Sequence, residues 1–244
     1  MKAVILAAGV ASRLRPLTDN TPKCLLPVGK KTMLGRTLEN LIQNGVNEFI
    51  IGTGYLQEQI VEFIRTNFPE LKVTFVYNEK FDTTNNIFSL WLTREYLMDT
   101  PMILMDSDII FDHRIIKQLL DAGTGSYLAV KSVHELGEEE MKLTVTADNR
   151  VLKISKEIDP KNAIGESIGI AKFDKDFVQA LFKIVERRIF KAGKVNEFYE
   201  AAFQEAVDDG QTLFAVDVGN FLCSEIDTVE DMEHARTEIV PLLD

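Results

Sequence analysis

Cysteine is scarce in this chain, and long apolar runs are absent. The two cysteines, Cys24 and Cys223, lie far apart and form no CxxC pair, which argues against a disulfide scaffold or a thiolate zinc site. The three histidines are also scattered, so no zinc cluster is predicted. The apolar start at 3–8 is shorter than the core of a signal peptide, and no segment has membrane-spanning length. We therefore expect a cytoplasmic protein with reduced thiols.

Basic residues are outnumbered as well. The 244 residues include 27 Lys and Arg against 38 Asp and Glu, for a formal net charge of −11 at pH 7. This balance argues against a broad basic face for nucleic acid or for an anionic membrane. Low-complexity segments and linkers are missing, and 45% of the residues are hydrophobic. We expect one domain over residues 1–244, in which any bound anion is held locally.

Strand and helix patterns alternate in the first half of the chain. Helical periodicity separates short apolar strands, and the segments in chain order are 2–8 (strand), 32–44 (helix), 47–52 (strand), 56–67 (helix) and 71–77 (strand). This order predicts a parallel sheet with right-handed crossovers, whose ligands bind beyond the carboxyl ends of the strands. A strand at 101–105 and a helix at 113–122 continue the pattern, and Asn85 and Asn86 precede a helical stretch that ends near residue 98.

The second half follows a different pattern. Strand-like segments joined by turn residues occur at 126–132, 141–146, 150–155 and 166–173. Their close spacing favours antiparallel pairing, and we interpret them as an insertion that covers the substrate. Helical patterns at 174–190, 195–207 and 228–240 surround a further strand at 212–218. The fold class is therefore α/β.

The loop after the first strand carries the clearest chemical signal. It reads LAAGVASRLRPLTDNTPKCLLPV over residues 6–28. Gly9 allows backbone amides to approach phosphate oxygens, Arg13 offers a planar donor fork, and Lys23 offers a compact positive charge. Leu14 stands where both a Walker loop and a dinucleotide-binding loop need glycine. The loop therefore indicates chemistry on the phosphates of a nucleotide.

This loop resembles the signature GxGTRLxPLTxxxPKxLxPV of the nucleoside-triphosphate transferase superfamily, which includes the sugar-1-phosphate nucleotidyltransferases. One position departs from it, because Ala11 replaces the second glycine. The resemblance implies a Rossmann-like three-layer fold with a mostly parallel sheet and an antiparallel substrate-covering insertion. It also implies a nucleotide-binding part at about 1–122, an acceptor-binding part with the C-terminal helix at about 123–244, and catalytic roles for Arg13 and Lys23.

Two acidic segments, LMDSDIIF at 104–111 and SEIDTVEDMEHA at 224–235, are candidates for a metal site. From the residues alone, each aspartate could equally cap a helix or lie in a turn. The resemblance implies that Asp108 and Asp227 bind Mg²⁺. Asp106 is a further candidate, because alternation along the strand places it on the same side as Asp108. Carboxylate oxygens are the ligands that Mg²⁺ prefers.

Segments such as YNEKFDTTNNIFSLWL and EFYEAAFQEAV are similar to those of bacterial cytidylyltransferases that act on phosphocholine and 2-aminoethylphosphonate. This resemblance implies transfer of CMP from CTP to a small phosphate or phosphonate acceptor, with release of pyrophosphate. Neither nucleic acid nor membrane is an expected partner, and a homodimer is allowed. Two alternatives stay open: a nucleotidyltransferase for a sugar- or inositol-1-phosphate, and an inactive nucleotide-binding regulatory subunit.

The resemblance also supplies candidate ligand contacts. The residues expected around the nucleotide are Leu6, Ala7, Ala8, Gly9, Ala11, Ser12, Arg13, Thr53, Gly54, Tyr55, Asn78, Asn85 and Ser89. For most of these residues, turn geometry or packing is the alternative explanation. The acceptor contacts are expected from residue type instead: lysines for its phosphate, namely Lys23, Lys153 and Lys156, and groups for a cationic amine, namely Glu166, Glu197 and Tyr199. For the charged members of this group, the alternative is a solvated surface.

Overall fold

The computed structural model describes residues 1–132 and 136–243, so His134 lies outside the described residues. The strands are β1 Lys2–Ala7, β2 Pro27–Val28, β3 Lys31–Thr32, β4 Glu48–Thr53, β5 Lys72–Tyr77, β6 Met102–Asp106, β7 Ile109–Phe111, β8 Ser126–Lys131, β9 Lys142–Val145, β10 Val151–Ser155, β11 Gly165–Phe173, β12 Leu213–Asp217 and β13 Cys223–Glu225. The α-helices are α1 Met33–Gln43, α2 Gln57–Asn67, α3 Asn86–Leu92, α4 Arg114–Asp121, α5 Lys175–Glu186, α6 Glu200–Asp208, α7 Val229–His234 and α8 Val240–Leu243.

The parallel part of the main sheet forms from the first half of the chain. Strands β5, β4, β1 and β6 are neighbours in that order, and all of them run parallel. Leu6 lies opposite both Gly52 and Asp106, so the carboxyl ends of these strands meet at one edge. Helix α1 begins where predicted, because the Thr32 hydroxyl accepts a hydrogen bond from the Gly35 amide.

The predicted insertion belongs to the same sheet. Strand β11 runs antiparallel to β6 and to β8, and β9 pairs antiparallel with β10 and β11. Strand β12 adds to β8 in parallel. The prediction of a mostly parallel sheet extended by antiparallel strands is therefore confirmed.

Alternating side chains bury both faces of this sheet. Val4 and Leu6 of β1 belong to one apolar cluster, which contains residues of α3, α5 and α6. Ala3 and Ile5 belong to the opposite cluster, which contains residues of α1, α2 and α4. Helices therefore cover both faces of the sheet, as the three-layer prediction requires. Within residues 1–132 and 136–243, no helix combines the length and apolar character needed to cross a bilayer.

Several predicted boundaries are wrong. Residues 195–199 are not helical, and α6 begins only at Glu200. Tertiary hydrogen bonds explain this start, because the Val195 carbonyl accepts from the Asn85 amide and the Tyr199 amide donates to Asn86 Oδ1. The helix expected to end near residue 98 stops at Leu92 and is followed by a 3₁₀ turn over Arg94–Tyr96. The last predicted helix is interrupted by a π-helical segment over Ala235–Ile239.

The pair β7 and β13 was not predicted. Each strand has only three residues, and they run antiparallel, with Glu225 opposite Ile109. Beyond this pair, the Ile226 amide donates to the Asp108 carbonyl at 3.0 Å. This contact joins the segment after β6 to the segment before α7.

Candidate active site

A cavity of about 780 Å³ opens at the carboxyl ends of the parallel strands. Its wall includes the ends of β1 and β6, the loop after β1, the first half of β11, the start of α6 and the segment after β13. This is the edge at which open α/β sheets bind their ligands. The cavity therefore brings the loop and the two acidic segments together.

The loop after β1 is held in a defined conformation. Ala11, which stands where the signature has glycine, adopts a left-handed backbone conformation with φ 51°. Glycine adopts this conformation more readily than other residues. The Thr18 hydroxyl donates to the Ala11 carbonyl at 2.9 Å, and the Tyr55 hydroxyl donates to the carbonyls of Thr18 and Asp19. Leu14 is fully buried. The loop thus keeps the conformation despite the alanine, at a cost of about 1–2 kcal/mol.

Three carboxylates converge on one side of the cavity. One oxygen each from Asp108, Glu225 and Asp227 lies within 4.8 Å of the others. Among the described residues, Asp108 Oδ1 is buried without a hydrogen-bond partner. Asp106 also lines the cavity, but its Oδ2 accepts from the Tyr199 hydroxyl at 2.6 Å. An oxygen-only donor set with an orphaned oxygen fits a hard divalent cation.

Two cations of the loop contact these carboxylates. Lys23 Nζ donates to Asp108 Oδ2 at 2.7 Å and to Asp227 Oδ1 at 2.8 Å, and Arg13 Nη2 lies 2.8 Å from Asp227 Oδ2. Burial lowers the pKa of Lys23, but Asp108 and Asp227 outweigh it, so the pKa is raised. Burial raises the pKa of Asp227, but Lys23 and then Arg13 outweigh it, so the pKa is lowered. These contacts therefore favour the charged forms of Lys23 and Asp227.

Asp227 does not cap α7, which was the alternative explanation for this residue. The cap is Thr228, whose hydroxyl accepts from the Asp231 amide while the Asp231 carboxylate accepts from the Thr228 amide. This reciprocal pair is a capping box. The side chain of Asp227 is consequently available to contact Arg13 and Lys23.

The candidate nucleotide contacts divide into two groups. Those that line the cavity are Leu6, Ala7, Ala8, Gly9, Ala11, Arg13, Asn85 and Ser89. Those absent from its described lining are Ser12, Thr53, Gly54, Tyr55 and Asn78.

Gly54 and Asn78 of the second group support members of the first. A Cβ on Gly54 would lie 2.6 Å from the Ala8 carbonyl oxygen, so glycine allows close packing behind the loop. The Asn78 amide donates to Ser89 Oγ at 3.0 Å, and the Thr53 hydroxyl donates to the Gln57 side chain. The nucleotide-contacting roles of both groups stay predictions.

The candidate acceptor contacts divide in the same way. Lys23, Lys156 and Glu166 line the cavity. Lys153 is exposed on β10, and Glu197 forms ion pairs with Arg188 and Lys194.

Tyr199 is 2% exposed and reaches the site through Asp106. Sequence reasoning missed Glu225, Glu200 and Lys131, all of which line the cavity. The two-residue spacing of Glu225, the last residue of β13, from Asp227 is the signal that could have revealed the first. Nothing local distinguishes the other two from surface charges.

Comparison with known proteins identifies the class. Residues 2–149 match the nucleotidyl transferase family, and the chain belongs to that family. Its most similar relatives include the choline-phosphate cytidylyltransferase of Streptococcus pneumoniae, which is 41% identical over 107 residues, or 44% of this chain and 45% of the relative. Another is the CMP-5'-(3-aminopropyl)phosphonate synthase of Streptomyces rubellomurinus, 35% identical over 53% of this chain and 20% of the relative. The chain thus spans less than half the length of these two relatives.

A solved structure gives fuller coverage. The CTP:phosphocholine cytidylyltransferase of Streptococcus pneumoniae superimposes with a TM-score of 0.80 at 26% identity, over 96% of this chain and 97% of that one. The predicted family and the Rossmann-like nucleotidyltransferase fold are confirmed. The family generally uses a divalent metal, and the cluster of Asp108, Glu225 and Asp227 fits one.

Proposed function

We propose that this protein is an Mg²⁺-dependent cytidylyltransferase, which transfers CMP from CTP to a small phosphate or phosphonate acceptor of the phosphocholine or 2-aminoethylphosphonate type. The observation that carries the proposal is the contact of Arg13 and Lys23 with Asp108 and Asp227 in one cavity at the ligand-binding edge of the sheet. The named activities of the two similar relatives support cytidine as the base. The proposal also includes the cytoplasmic location, the homodimer and the division of the chain, near residue 122, into a nucleotide-binding part and an acceptor-binding part.

The proposed reaction is a single displacement. An anionic oxygen of the acceptor attacks the α-phosphorus of CTP in line, a new P–O bond forms, the bond to the β-phosphate oxygen breaks, and pyrophosphate leaves. The protein positions the reactants and stabilises charge, so no covalent nucleophile is needed. Arg13, whose side chain is 67% exposed, would bind the leaving phosphates, and Lys23 would bind the α-phosphate and the acceptor.

Asp108, Glu225 and Asp227 would hold the metal. Mg²⁺, when bound, supplies positive charge beside the phosphates. In the structure, Lys23 lies between Asp108 and Asp227. We therefore expect the Lys23 ammonium to exchange carboxylate oxygens for phosphate oxygens when nucleotide and metal bind.

The test is a substrate panel read as pyrophosphate release. CTP, UTP, GTP and ATP are each combined with phosphocholine, 2-aminoethylphosphonate, inositol-1-phosphate or glucose-1-phosphate, with Mg²⁺ or with EDTA. We expect release only with CTP, Mg²⁺ and one of the first two acceptors. Lys23→Ala is the inactive control, and Lys30→Ala is its matched control, because Lys30 is exposed in the loop before β3.

Two results would replace the proposal with its alternatives. Turnover confined to inositol- or glucose-1-phosphate would make the protein a polyol- or sugar-phosphate nucleotidyltransferase. CTP binding without turnover on any acceptor would support a regulatory subunit.

A further inference from the structure

Glu200 is a buried carboxylate that the roles proposed above do not use. It is the first residue of α6, lines the cavity and is 8% exposed. Its Oε2 is buried and has no hydrogen-bond partner within the described part of the chain. An unpaired buried carboxylate is costly, and a native structure that keeps one needs a reason. A ligand that donates to this oxygen is such a reason.

The segment before Glu200 holds the carboxylate in place. The Tyr199 amide donates to Asn86 Oδ1 at 2.9 Å, and the Tyr199 hydroxyl donates to Asp106 Oδ2 at 2.6 Å. Both hydrogen bonds tie the start of α6 to elements that form the cavity wall. Glu200 is therefore positioned before any ligand arrives, which reduces the entropy cost of binding.

Lys156, whose charge acts on Glu200, does not satisfy the unpaired oxygen. Lys156 Nζ lies 3.3 Å from Glu139 Oε2 and 5.2 Å from the centre of the Phe198 ring. Burial raises the pKa of Glu200 to about 7, although a backbone hydrogen bond and, to a smaller extent, the charge of Lys156 lower it. Lys156 thus contributes charge at a distance, while Glu200 Oε2 still lacks a donor from residues 1–132 and 136–243.

The charge of the cavity wall favours a cationic donor over a neutral one. The described lining carries nine carboxylates and only four lysines and arginines. CTP and the phosphate or phosphonate end of the acceptor both add negative charge to this space. An acceptor whose other end is positive offsets part of that charge at Glu200, whereas a hydroxyl does not.

The aromatic side chains distinguish two kinds of ammonium group. A quaternary ammonium has no N–H to donate and is recognised by a cage of aromatic faces. The described lining contains only two aromatic rings, Phe81 and Phe198. Phe198 already faces the Lys156 ammonium, and Phe81 packs against Tyr55 with ring centres 6.3 Å apart. This lining provides no cage, but Glu200 provides an acceptor for N–H groups.

We propose that Glu200 binds the primary ammonium group of the acceptor, which makes the acceptor an aminoalkyl phosphate or phosphonate. This inference rests on the proposed function. It adds a specificity-determining residue and selects primary amines over choline.

The test compares acceptors that differ only at the amine. Initial rates with CTP and Mg²⁺ are measured for 2-aminoethylphosphonate against ethylphosphonate, and for phosphoethanolamine against phosphocholine. For the parent enzyme we expect kcat/KM to be about 10- to 100-fold higher for each primary amine, the range expected for a hydrogen bond between charged groups. In Glu200→Gln this preference should fall to within about threefold through a higher KM, with ethylphosphonate almost unaffected.

Glu186→Gln is the matched control, because Glu186 is exposed at the end of α5. It should keep the full preference. Thermal unfolding checks that Glu200→Gln is folded, and binding of 2-aminoethylphosphonate to each variant in the presence of CMP gives a second measurement that does not require turnover.

The outcomes separate the two proposals. Absence of pyrophosphate release by the parent with every acceptor would remove the proposed function itself. Three other results would overturn the role of Glu200 and leave cytidylyl transfer standing. Two concern the parent: rates that do not depend on the amine, and rates that are higher with phosphocholine. The third is a rate that falls equally with all acceptors in Glu200→Gln.

Discussion

Replacing Lys23 tests the electrostatics of the site without an activity assay. The Lys23 side chain is 11% exposed and lies 2.7 and 2.8 Å from carboxylates whose side chains are 20% and 30% exposed. Lys23→Met keeps a flexible side chain of similar length but removes the charge. Asp108, Glu225 and Asp227 then face one another without the cation that lies between two of them.

The magnitude follows from the burial of these groups. Removing one partner of a fully buried ion pair costs about 3–5 kcal/mol. Because the two aspartates keep some contact with water, we expect the free energy of unfolding to fall by about 2–4 kcal/mol. For a chain of this size each kcal/mol shifts Tm by about 2–4 °C, so Tm should fall by about 6–12 °C for a loss of about 3 kcal/mol.

The assay is thermal unfolding of the parent, Lys23→Met and the exposed control Lys30→Met, first in EDTA and then with increasing Mg²⁺. A ligand that binds only the folded state raises Tm according to its affinity. In Lys23→Met, Mg²⁺ has no ammonium to displace and relieves more repulsion, so it should raise Tm more than in the parent. A Tm of Lys23→Met within about 2 °C of the parent in EDTA, or an equal rise in Tm with Mg²⁺ for both proteins, would refute this role of Lys23.

Other substitutions test single contacts. Asp227→Asn should lower kcat at least about 100-fold while changing Tm little, because Thr228 and Asp231 cap α7; full activity at limiting Mg²⁺ would contradict its role as a ligand. Arg13→Lys should raise the KM for CTP about tenfold, because lysine lacks the bidentate fork, and an unchanged KM would argue against triphosphate contact. Burial raises the pKa of Glu200 from 4.5 to about 7, so the folded state binds its proton more tightly and loses stability as pH rises from about 4.5 through about 7. Urea unfolding should therefore show Glu200→Gln more stable than the parent at pH 8 by up to about 3 kcal/mol, but not at pH 4.5; an equal difference at both pH values would show that this carboxyl is not the cause.

The sequence alone determined those features that depend on local patterns. Apolar periodicity located the strands and helices of the first half, because burial on both faces of a parallel sheet demands that pattern. Gly9, Arg13 and Lys23 belong to one short loop after β1, so their spacing alone indicated phosphate chemistry. The resemblance of that loop then predicted the family, which the match over residues 2–149 confirms.

Only the tertiary structure decided how distant carboxylates meet and which are buried. The pairing of β7 with β13 adds Glu225 beside Asp227 and brings both to Asp108, and strands of three residues carry too little periodicity to be recognised. Glu200 looks like any other helical glutamate in the sequence, yet the fold buries it against the cavity, where its Oε2 has no hydrogen-bond partner among the residues that the structure describes. Contacts between segments far apart in the chain decide which charged groups are buried and which have hydrogen-bond partners. They therefore set the free-energy cost of burying a charge and the kind of ligand that can offset that cost.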